Sequence, residues 1–361
     1  MGYELQNADT VRKNIHEDKR VGFWGLFKKI ALPILGGGPG HMKPGQFTEN
    51  SEMCLSLARS LVSKQKYDTI DVACAYAYWL QTGPLTKKTT IKLALSGSMK
   101  TVTENPLNPN WRLDLNEDQK LEIFNKIRSN TKSFNENNLS NGALMRITPL
   151  AIAYRNSTYK ELRKLAIEDA QITHSNPIAW DASVVYIIAL VALLRGKTRD
   201  DAFYDALSYA ETDIVREHME DAKNRAIPVK LPQNIISKQT VVDPNNCILE
   251  FTNGDDYAMG YMGIALQSAF YELLHAKSFA SGLEDVISRG GDTDTNGCIV
   301  AALLGAYFGI DTIPQEWVNT VRSADPYLGC RDKERYKIPM DFLSIKDIET
   351  LVPRLTNIKM S

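Results

Sequence analysis

The segment Trp180–Leu194 most constrains the fold, because it is apolar on nearly every side and is followed by Gly196, a residue type that often ends helices. A helix that is apolar all round belongs at the centre of a helical protein. Ala258–His275 and Gly297–Phe308 are similarly apolar, and their Gly and Ala residues let helix backbones approach closely. In Glu52–Lys64, apolar residues recur every fourth position. The sequence therefore predicts several packed core helices.

Few residues predict β-structure. The clearest signal is a pair of short segments, Thr240–Val242 and Cys247–Thr252, which are separated by the turn sequence Asp-Pro-Asn-Asn and predict one small hairpin. No Pro-, Ser- or Gly-rich linker divides the 361 residues, so we predict one domain over residues 1–361. The fold class expected from this pattern is all-α, with loops joining the helices.

Charge and cysteine content exclude several classes of protein. The formal net charge is -1 and the pI is about 6.5, so the composition gives no electrostatic indication of nucleic-acid binding. Its five cysteines are far apart and form no Cys-x-x-Cys pair, which is typical of free thiols in a reducing compartment. We find no signal peptide and no stretch that approaches about 20 apolar residues. We therefore expect a soluble, cytoplasmic protein without membrane contact.

The strongest functional motif is an acidic loop at residues 289–297, Arg-Gly-Gly-Asp-Thr-Asp-Thr-Asn-Gly, which precedes an apolar helix. Asp292 and Asp294, with the hydroxyl of Thr295, offer oxygen ligands of the kind that Mg²⁺, Ca²⁺ and Mn²⁺ prefer. The two glycines let the backbone turn tightly, and the following helix start favours an anion. The alternative is an ordinary helix N-cap. Two Asp and two Thr between glycines exceed what a cap requires, so the motif predicts metal binding.

Three further segments place polar side chains before a helix. Ser140–Leu150 contains an Asn-Gly turn followed by Ala-Leu-Met-Arg, and its alternative is a plain loop–helix junction. Thr173–Pro177 carries His174, which is either a substrate contact or a structural core histidine. Residues 48–50, Thr-Glu-Asn, precede a helix whose start is also stabilised by acidic residues. Taken alone, each of these segments is interpreted as structural.

Taken together and in this order, the segments resemble the ADP-ribosylglycohydrolase family, whose members carry similar Ser-Arg-Gly-Gly-Asp-Thr-Asp-Thr-Asn-Gly, Asn-Gly-Ala-x-Met-Arg and Thr-His motifs. The resemblance extends from Gly2 to about Trp317. It implies a single compact orthogonal helical bundle, all-α with at most one small β-hairpin, and a central di-metal site. The metal ligands that it implies are Thr48, Glu49, Asn50, Asp292, Asp294 and Thr295. The substrate contacts that it implies are Asn141, Gly142, Ala143, His174, Gly290 and Gly291.

The sequence departs from the family pattern on its amino-terminal side. Where the family reads Thr-Asp-Asp-Thr, this chain has Glu49 and Asn50, so one acid is longer and the other is an amide. By this resemblance, Gly2 is expected to match the last Gly of the family's Gly-Asp-Ala-x-Gly motif, the preceding family helix has no match in the sequence, and Gln6 falls at the usual Glu position, with Glu4 nearby. Leu85 stands where members often have a further acid. Replacing a carboxylate with an amide is expected to weaken a second cation most.

The resemblance implies metal-assisted hydrolysis of the C1″ bond of an ADP-ribosylated substrate, through a transition state with oxocarbenium character. Glu49 is the expected acid–base carboxylate, because it is the remaining acid of the amino-terminal triplet. The expected cofactor is Mg²⁺, with Mn²⁺ and Ca²⁺ as alternatives, present as one or two ions. The expected partner is ADP-ribose or an ADP-ribosylated macromolecule, and we predict a monomer.

Two other interpretations are open at this stage. The altered positions Gln6, Asn50 and Leu85 favour a pseudoenzyme that binds ADP-ribose or a related nucleotide without cleaving it. A purely structural role, in which the acidic loop only holds helices together, is the third interpretation. The sequence does not select the leaving group among arginine, serine, a nucleic-acid end and a free nucleotide derivative.

Overall fold

The computed structural model describes residues 2–21, 31–84, 86–230, 250–251, 259–325 and 340–358. The α-helices in this part of the chain are α1 (Ala8–Val21), α2 (Glu49–Lys64), α3 (Thr69–Gln81), α4 (Thr89–Leu95), α5 (Trp111–Asp114), α6 (Glu117–Phe134), α7 (Thr148–Ala153), α8 (Tyr159–Ala170), α9 (Pro177–Leu194), α10 (Arg199–Ser208), α11 (Asp213–Ala222), α12 (Met262–His275), α13 (Phe279–Ser288), α14 (Thr293–Phe308), α15 (Gln315–Arg322) and α16 (Ile348–Thr356). Short 3₁₀ helices span Met99–Thr101, Asn141–Arg146, Ile310–Thr312 and Met340–Leu343. The predicted all-α class is confirmed.

Helix α9 forms the centre of this fold. The side chain of Asn176 accepts a hydrogen bond from the Ile178 N–H at 3.0 Å, and Pro177 occupies the first helical position, so both residues favour a helix start here. Residues 181–193 are all buried, against α7, α8, α10 and α14 among others. By length and composition this helix could cross a membrane, but 78% of it is buried inside the protein. It is therefore a core helix, as its all-round apolar sequence predicts.

Two strands of two residues each pair antiparallel. Strand β1 (Val229–Lys230) lies against β2 (Glu250–Phe251), with Val229 opposite Phe251. Strand β2 falls within the second strand of the predicted hairpin. The first predicted strand, Thr240–Val242, lies outside the described residues. The strand observed opposite β2 is therefore one that the sequence pattern did not predict.

The amino-terminal ends of α2 and α14 meet at the functional loops. Both helices begin earlier than predicted, at Glu49 rather than Glu52 and at Thr293 rather than Gly297, because their first turns are largely polar and carry no apolar period. Helix α14 packs against α2, α9, α12 and α13. The acidic loop and residues 48–50 are thereby brought to one place by two helices that share a core.

Glycine allows one of the close helix contacts beside this place. A Cβ on Gly263, in α12, would lie 2.4 Å from Nε2 of His218, in α11. No real side chain tolerates that distance, so α12 approaches α11 this closely only because residue 263 is glycine. The prediction that Gly in the apolar segments serves close helix packing is met at this position.

Candidate active site

The acidic loop turns at two glycines with left-handed backbone conformations. Gly290 has a φ of +76° and Gly291 a φ of +72°, and residues with a Cβ rarely adopt these values. A Cβ on Gly290 would also lie 2.4 Å from the carbonyl oxygen of Gln6. The turn places Asp292 directly before α14, with 1% of its surface exposed, and Asp294 in the first helical turn. The predicted tight turn is therefore present, and the substrate contacts predicted at both glycines stay predictions.

The amino-terminal segment is hydrogen-bonded to this loop. The Leu5 N–H donates to the carbonyl oxygen of Gly291 at 2.9 Å, and the Gly291 N–H donates to the carbonyl oxygen of Gln6 at 2.8 Å. This pairing directs Glu4 into the loop, where a carboxylate oxygen accepts a hydrogen bond from the Asp294 N–H at 3.2 Å. The first residues of the chain are therefore part of the site.

Gln6, which stands at the family's Glu position, has its side chain engaged elsewhere. Its Oε1 accepts a hydrogen bond from Asn14 Nδ2 at 2.9 Å, and its Nε2 donates to the carbonyl oxygen of Gly2 at 3.4 Å. Leu5, next to it, has a left-handed φ of 63°. With this backbone turn, buried Glu4 supplies the acid instead. Glu4, which the sequence places near the family's Glu position, thus brings a carboxyl group to this part of the site.

Three carboxylates converge at the start of α14. Glu4, Asp292 and Asp294 each offer one oxygen, and these oxygens all lie within 4.8 Å of one another. Among the described residues, no other group of His, Cys, Asp and Glu side chains has this spacing. Oxygen ligands at this spacing suit a hard cation such as Mg²⁺ or Mn²⁺.

Residues 48–50 reach the same cluster from the start of α2. Thr48 Oγ1 donates to Asp294 Oδ2 at 2.9 Å, and Asn50 Nδ2 donates to Thr48 Oγ1 at 3.2 Å. Asn50 Oδ1 accepts a hydrogen bond from Thr295 Oγ1 at 3.2 Å. Four of the predicted metal ligands are thus joined in one network. Asn50 both donates and accepts there, which an ionised aspartate could not do.

Glu49, the predicted acid–base residue, is buried and accepts a hydrogen bond from Thr86 Oγ1. Burial raises the pKa of Glu49 to about 7, and the charge of Asp294 adds to this increase, whereas Lys88 opposes it. A carboxyl group with a pKa near neutrality can both take and give a proton under physiological conditions.

Lys88, which the sequence pattern did not single out, contacts the acidic cluster directly. Its ammonium group donates to both carboxylate oxygens of Asp292, at 2.7 and 2.6 Å. Burial alone would lower the pKa of Lys88, but Asp292, Asp294 and Glu49 together raise it. Lys88 therefore carries a full positive charge beside a buried carboxylate.

The carboxyl groups of the cluster differ in how readily they hold a proton. Burial would raise the pKa of Asp292, yet the ammonium of Lys88 and the amide of Asn141 hold it below its usual value. Burial and the charge of Asp292 raise the pKa of Asp294. Burial, with Asp294 and Asp292, raises the pKa of Glu4 to about 8. A cation that binds here would favour the ionised forms of Glu4 and Asp294.

The Asn-Gly loop also contacts the cluster. Asn141 Nδ2 donates to Asp292 Oδ2 at 2.9 Å, and the Asn141 N–H donates to the carbonyl oxygen of Gly260 at 3.0 Å. Asn141 Oδ1 is buried and has no hydrogen-bond partner among the described residues. Such an oxygen is costly unless a ligand or water supplies a donor. Gly142 and Ala143 follow it as buried residues of a 3₁₀ helix.

His174 supports this loop. It is fully buried, and hydroxyl groups engage both of its ring nitrogens, Ser140 at 3.0 Å from Nε2 and Thr173 at 2.9 Å from Nδ1. Burial and the charge of Arg146 lower the pKa of His174 to about 3, so the imidazole is neutral. A Cβ on Gly142 would lie 3.4 Å from His174 Cε1. His174 thus holds the Asn-Gly loop in place, and its direct contact with a substrate stays a prediction.

Comparison with known proteins decides the family. The family model described as ADP-ribosylglycohydrolase matches residues 1–343. The chain belongs to the ADP-ribosylglycohydrolase family. It is 26% identical over 309 residues to a protein of Acanthamoeba polyphaga mimivirus named as an ADP-ribosyl glycohydrolase, across 84% of this chain and 81% of that protein. It is also 26% identical over 301 residues to the ADP-ribosyl-dinitrogen reductase glycohydrolase of Rhodospirillum rubrum, across 82% and 79% of the two chains.

A solved structure of an ADP-ribosylglycohydrolase-related protein complex shares the fold. It matches with a TM-score of 0.60 and 20% sequence identity over 100% of both chains. At this identity the similarity concerns the fold alone. The family assignment that the three motifs predict is confirmed, and so is the all-α architecture.

Two residues of the site closely follow position 85, where the family pattern predicts a further acid. Leu85 itself lies outside the described residues. Thr86 and Lys88, which follow it, contact Glu49 and Asp292 respectively. Their position in this segment is the sequence signal that identifies them. The positively charged side chain of Lys88 therefore lies in the site, close in sequence to the position where the family pattern predicts an acid.

Proposed function

We propose that this ADP-ribosylglycohydrolase cleaves the C1″ bond of ADP-ribose attached to a macromolecule, with the help of a divalent ion. The observation that carries the proposal is the meeting of Glu4, Asp292 and Asp294 within 4.8 Å, beside the start of α14. The acids offer ligands for a cation, and the helix start favours the phosphates of an ADP-ribosyl group. The names of the mimivirus and R. rubrum relatives support the ADP-ribosyl part of the substrate.

The donor set fits one divalent ion. Glu4, Asp292 and Asp294 would hold it, and the hydroxyl groups of Thr48 and Thr295 lie in the same hydrogen-bonded network. All of these are hard oxygen ligands, so we propose Mg²⁺, which Mn²⁺ can replace. When bound, the ion supplies positive charge that stabilises negative charge on substrate oxygens.

Glu49 is proposed as the base of the reaction. It is buried at the first position of α2, and the Thr86 hydroxyl group fixes the orientation of its carboxylate. Because its pKa is about 7, a large fraction of Glu49 is ionised at neutral pH. The ionised carboxylate takes a proton from the water that attacks C1″. The bond between C1″ and the carrier breaks, and the carrier atom leaves with the bonding electron pair and takes up a proton from solvent.

The Asn-Gly loop is proposed to hold the ADP-ribosyl group. Asn141 Oδ1 is buried without a donor among the described residues, and the hydroxyl groups of a ribose are donors of the kind it lacks. Gly142 is closely packed, because a Cβ there would lie 3.1 Å from Ile91 Cδ1, which is tighter than most Cβ contacts. His174 keeps this loop in position through Ser140. The loop can therefore present Asn141 to a ligand without reorganising.

A calorimetric titration combined with a release assay tests this proposal. ADP-ribose is titrated into the purified protein with Mg²⁺, with Mn²⁺ and with a chelator, and a parallel sample is incubated with an ADP-ribosylated protein. Metal-dependent binding together with release of free ADP-ribose is the expected result. Metal-dependent binding without release would support the alternative of a pseudoenzyme that binds ADP-ribose without cleaving it. Absence of binding under every condition would contradict both.

A further inference from the structure

The contact between Lys88 and Asp292 places a built-in cation in the acidic site. The ammonium nitrogen lies 2.7 and 2.6 Å from the two carboxylate oxygens. The Asp292 side chain is 2% exposed and the Lys88 side chain is 20% exposed, so water screens this ion pair little. Lys88 directly precedes α4, and the Lys92 N–H bonds back to its carbonyl oxygen at 2.9 Å. This hydrogen bond at the start of α4 fixes the backbone of Lys88, and so positions its side chain in the site.

The charges around Lys88 limit how many cations the site can hold. Four carboxyl groups bring negative charge to this place: Glu4, Asp292 and Asp294 of the cluster, and Glu49, whose charge also acts on Lys88. Within the described residues, Lys88 is the cationic side chain that pairs with them. One divalent ion and the ammonium bring three positive charges to at most four negative ones. Two divalent ions beside the ammonium would bring five, and burial makes such an excess costly.

We propose that the Lys88 ammonium occupies a cation position at Asp292, so that this site binds a single divalent ion rather than a pair. The inference rests on the proposed function, because it concerns the metal site of that hydrolase. It also explains why Asn50 can be an amide. With no second ion to hold, Asn50 instead links Thr48 and Thr295 by hydrogen bonds of 3.2 Å each.

The experiment is a calorimetric titration of Mn²⁺ into the full chain after removal of metal with a chelator. Wild type is compared with Lys88→Gln, which removes the charge, and with Lys88→Arg, which retains it. Lys87→Gln is the matched control, because Lys87 is adjacent in sequence but exposed. We expect one Mn²⁺ per chain in wild type, Lys88→Arg and Lys87→Gln. In Lys88→Gln we expect two, or one bound at least about tenfold more tightly, since a repelling charge has been removed.

Thermal unfolding gives a second measurement if Lys88→Gln folds poorly without metal. Loss of the ammonium leaves Asp292 buried and unpaired, so Mn²⁺ should raise the unfolding temperature of Lys88→Gln more than that of wild type. Zero or two ions in wild type would overturn the inference, and so would a Lys88→Gln variant that binds and responds to Mn²⁺ as wild type does. Failure to release ADP-ribose, measured separately, would overturn the proposed function and leave a one-ion result standing.

Discussion

The carboxyl-terminal and amino-terminal halves of the site are built in different ways. The carboxyl-terminal half is one continuous loop, residues 289–297, in which glycines and acids directly precede and begin α14. The amino-terminal half is assembled from separate pieces: Glu4, the start of α2, and Lys88 before α4. In the assembled half, a turn of the backbone brings a neighbouring acid to the site.

The two halves also differ in charge. Asp292, in the continuous loop, is kept ionised by Lys88 and Asn141. Glu4 and Glu49, in the assembled half, have pKa values raised to about 8 and about 7. Asp292 therefore supplies a fixed negative charge, whereas Glu4 and Glu49 can exchange protons near neutral pH. Both halves contribute proposed cation ligands, Asp292 and Asp294 from one half and Glu4 from the other, and Glu49 is the proposed proton-transfer group.

The largest effect is expected from Glu49→Gln, which removes the proposed base from the assembled half. Release of ADP-ribose should fall by about 10²- to 10⁴-fold, the usual contribution of a general acid–base group. Calorimetry should show ADP-ribose binding close to that of wild type, because Gln retains the shape of the side chain. Glu117→Gln is the control, since this carboxylate is on the surface and pairs with Lys120. Full activity in Glu49→Gln would rule out the assigned role.

A smaller effect is expected from Glu4→Gln, which tests whether Glu4 completes the metal site. Loss of one carboxylate should weaken Mn²⁺ binding by at least about tenfold. Gln6→Ala is the matched comparison, because the Gln6 side chain contacts Asn14 and Gly2, and the substitution keeps the backbone carbonyl that bonds Gly291. It should bind Mn²⁺ as wild type does. If Gln6→Ala weakened Mn²⁺ binding as much as Glu4→Gln, the observed turn at Leu5 would not represent the working site.

The Asn-Gly loop is a third part of the site, and unlike the two acidic halves it is supported by a neutral side chain, the imidazole of His174. The pKa of His174 is lowered from about 6.5 in the unfolded chain to about 3. Between these values the unfolded chain binds more protons, so the stability that neutral His174 contributes is present above pH 6.5 and is lost as the pH falls. The loss should be about 2 kcal/mol between pH 7 and pH 5.

Denaturant unfolding of wild type and His174→Gln at several pH values measures this contribution. The variant should be less stable at pH 7 but should lose less stability on acidification than wild type does, because glutamine does not titrate. His218, which is also buried with a lowered pKa, is present in both proteins and cancels in the comparison. Parallel pH curves for the two proteins would contradict a neutral, buried His174.

The smallest effect is expected from Asn50→Asp, which makes the assembled half more like the family pattern. The added carboxylate should strengthen Mn²⁺ binding by about threefold to tenfold. It also removes the donor that bonds Thr48, so part of the gain is offset by the lost hydrogen bond. Asn138→Asp, at a partly exposed residue outside the cluster, is the control. Weaker Mn²⁺ binding in Asn50→Asp would show that the amide is required where it stands.

The core helices and the continuous acidic loop could be predicted from the sequence, whereas much of the assembled half of the site could not. The core helices are recognisable because burial imposes an apolar period, and α9 is the clearest case. The acidic loop is recognisable because Asp292, Asp294 and their glycines are adjacent in sequence. The apolar pattern predicts starts of α2 and α14 that are too late in the sequence, because the first turns of both helices contain site residues rather than apolar ones. Polar functional residues at a helix start therefore make that helix boundary hard to predict from the apolar pattern.

The contacts of Glu4 and Lys88 could not be read from the sequence for a different reason. Glu4 reaches Asp294 through a left-handed turn at Leu5, which a leucine rarely adopts and which local propensity does not predict. Lys88 and Asp292 are 204 positions apart, and nothing in either segment specifies the other. Both contacts depend on the packing of distant elements, which a linear pattern does not encode.

The most direct test is a crystal structure of the full chain soaked with Mn²⁺, with the ions located by anomalous scattering. We expect one Mn²⁺ within coordination distance of Glu4, Asp292 and Asp294, with Lys88 still bonded to Asp292. Two Mn²⁺ peaks with Lys88 displaced from Asp292, or an ion bound without Glu4, would contradict this expectation.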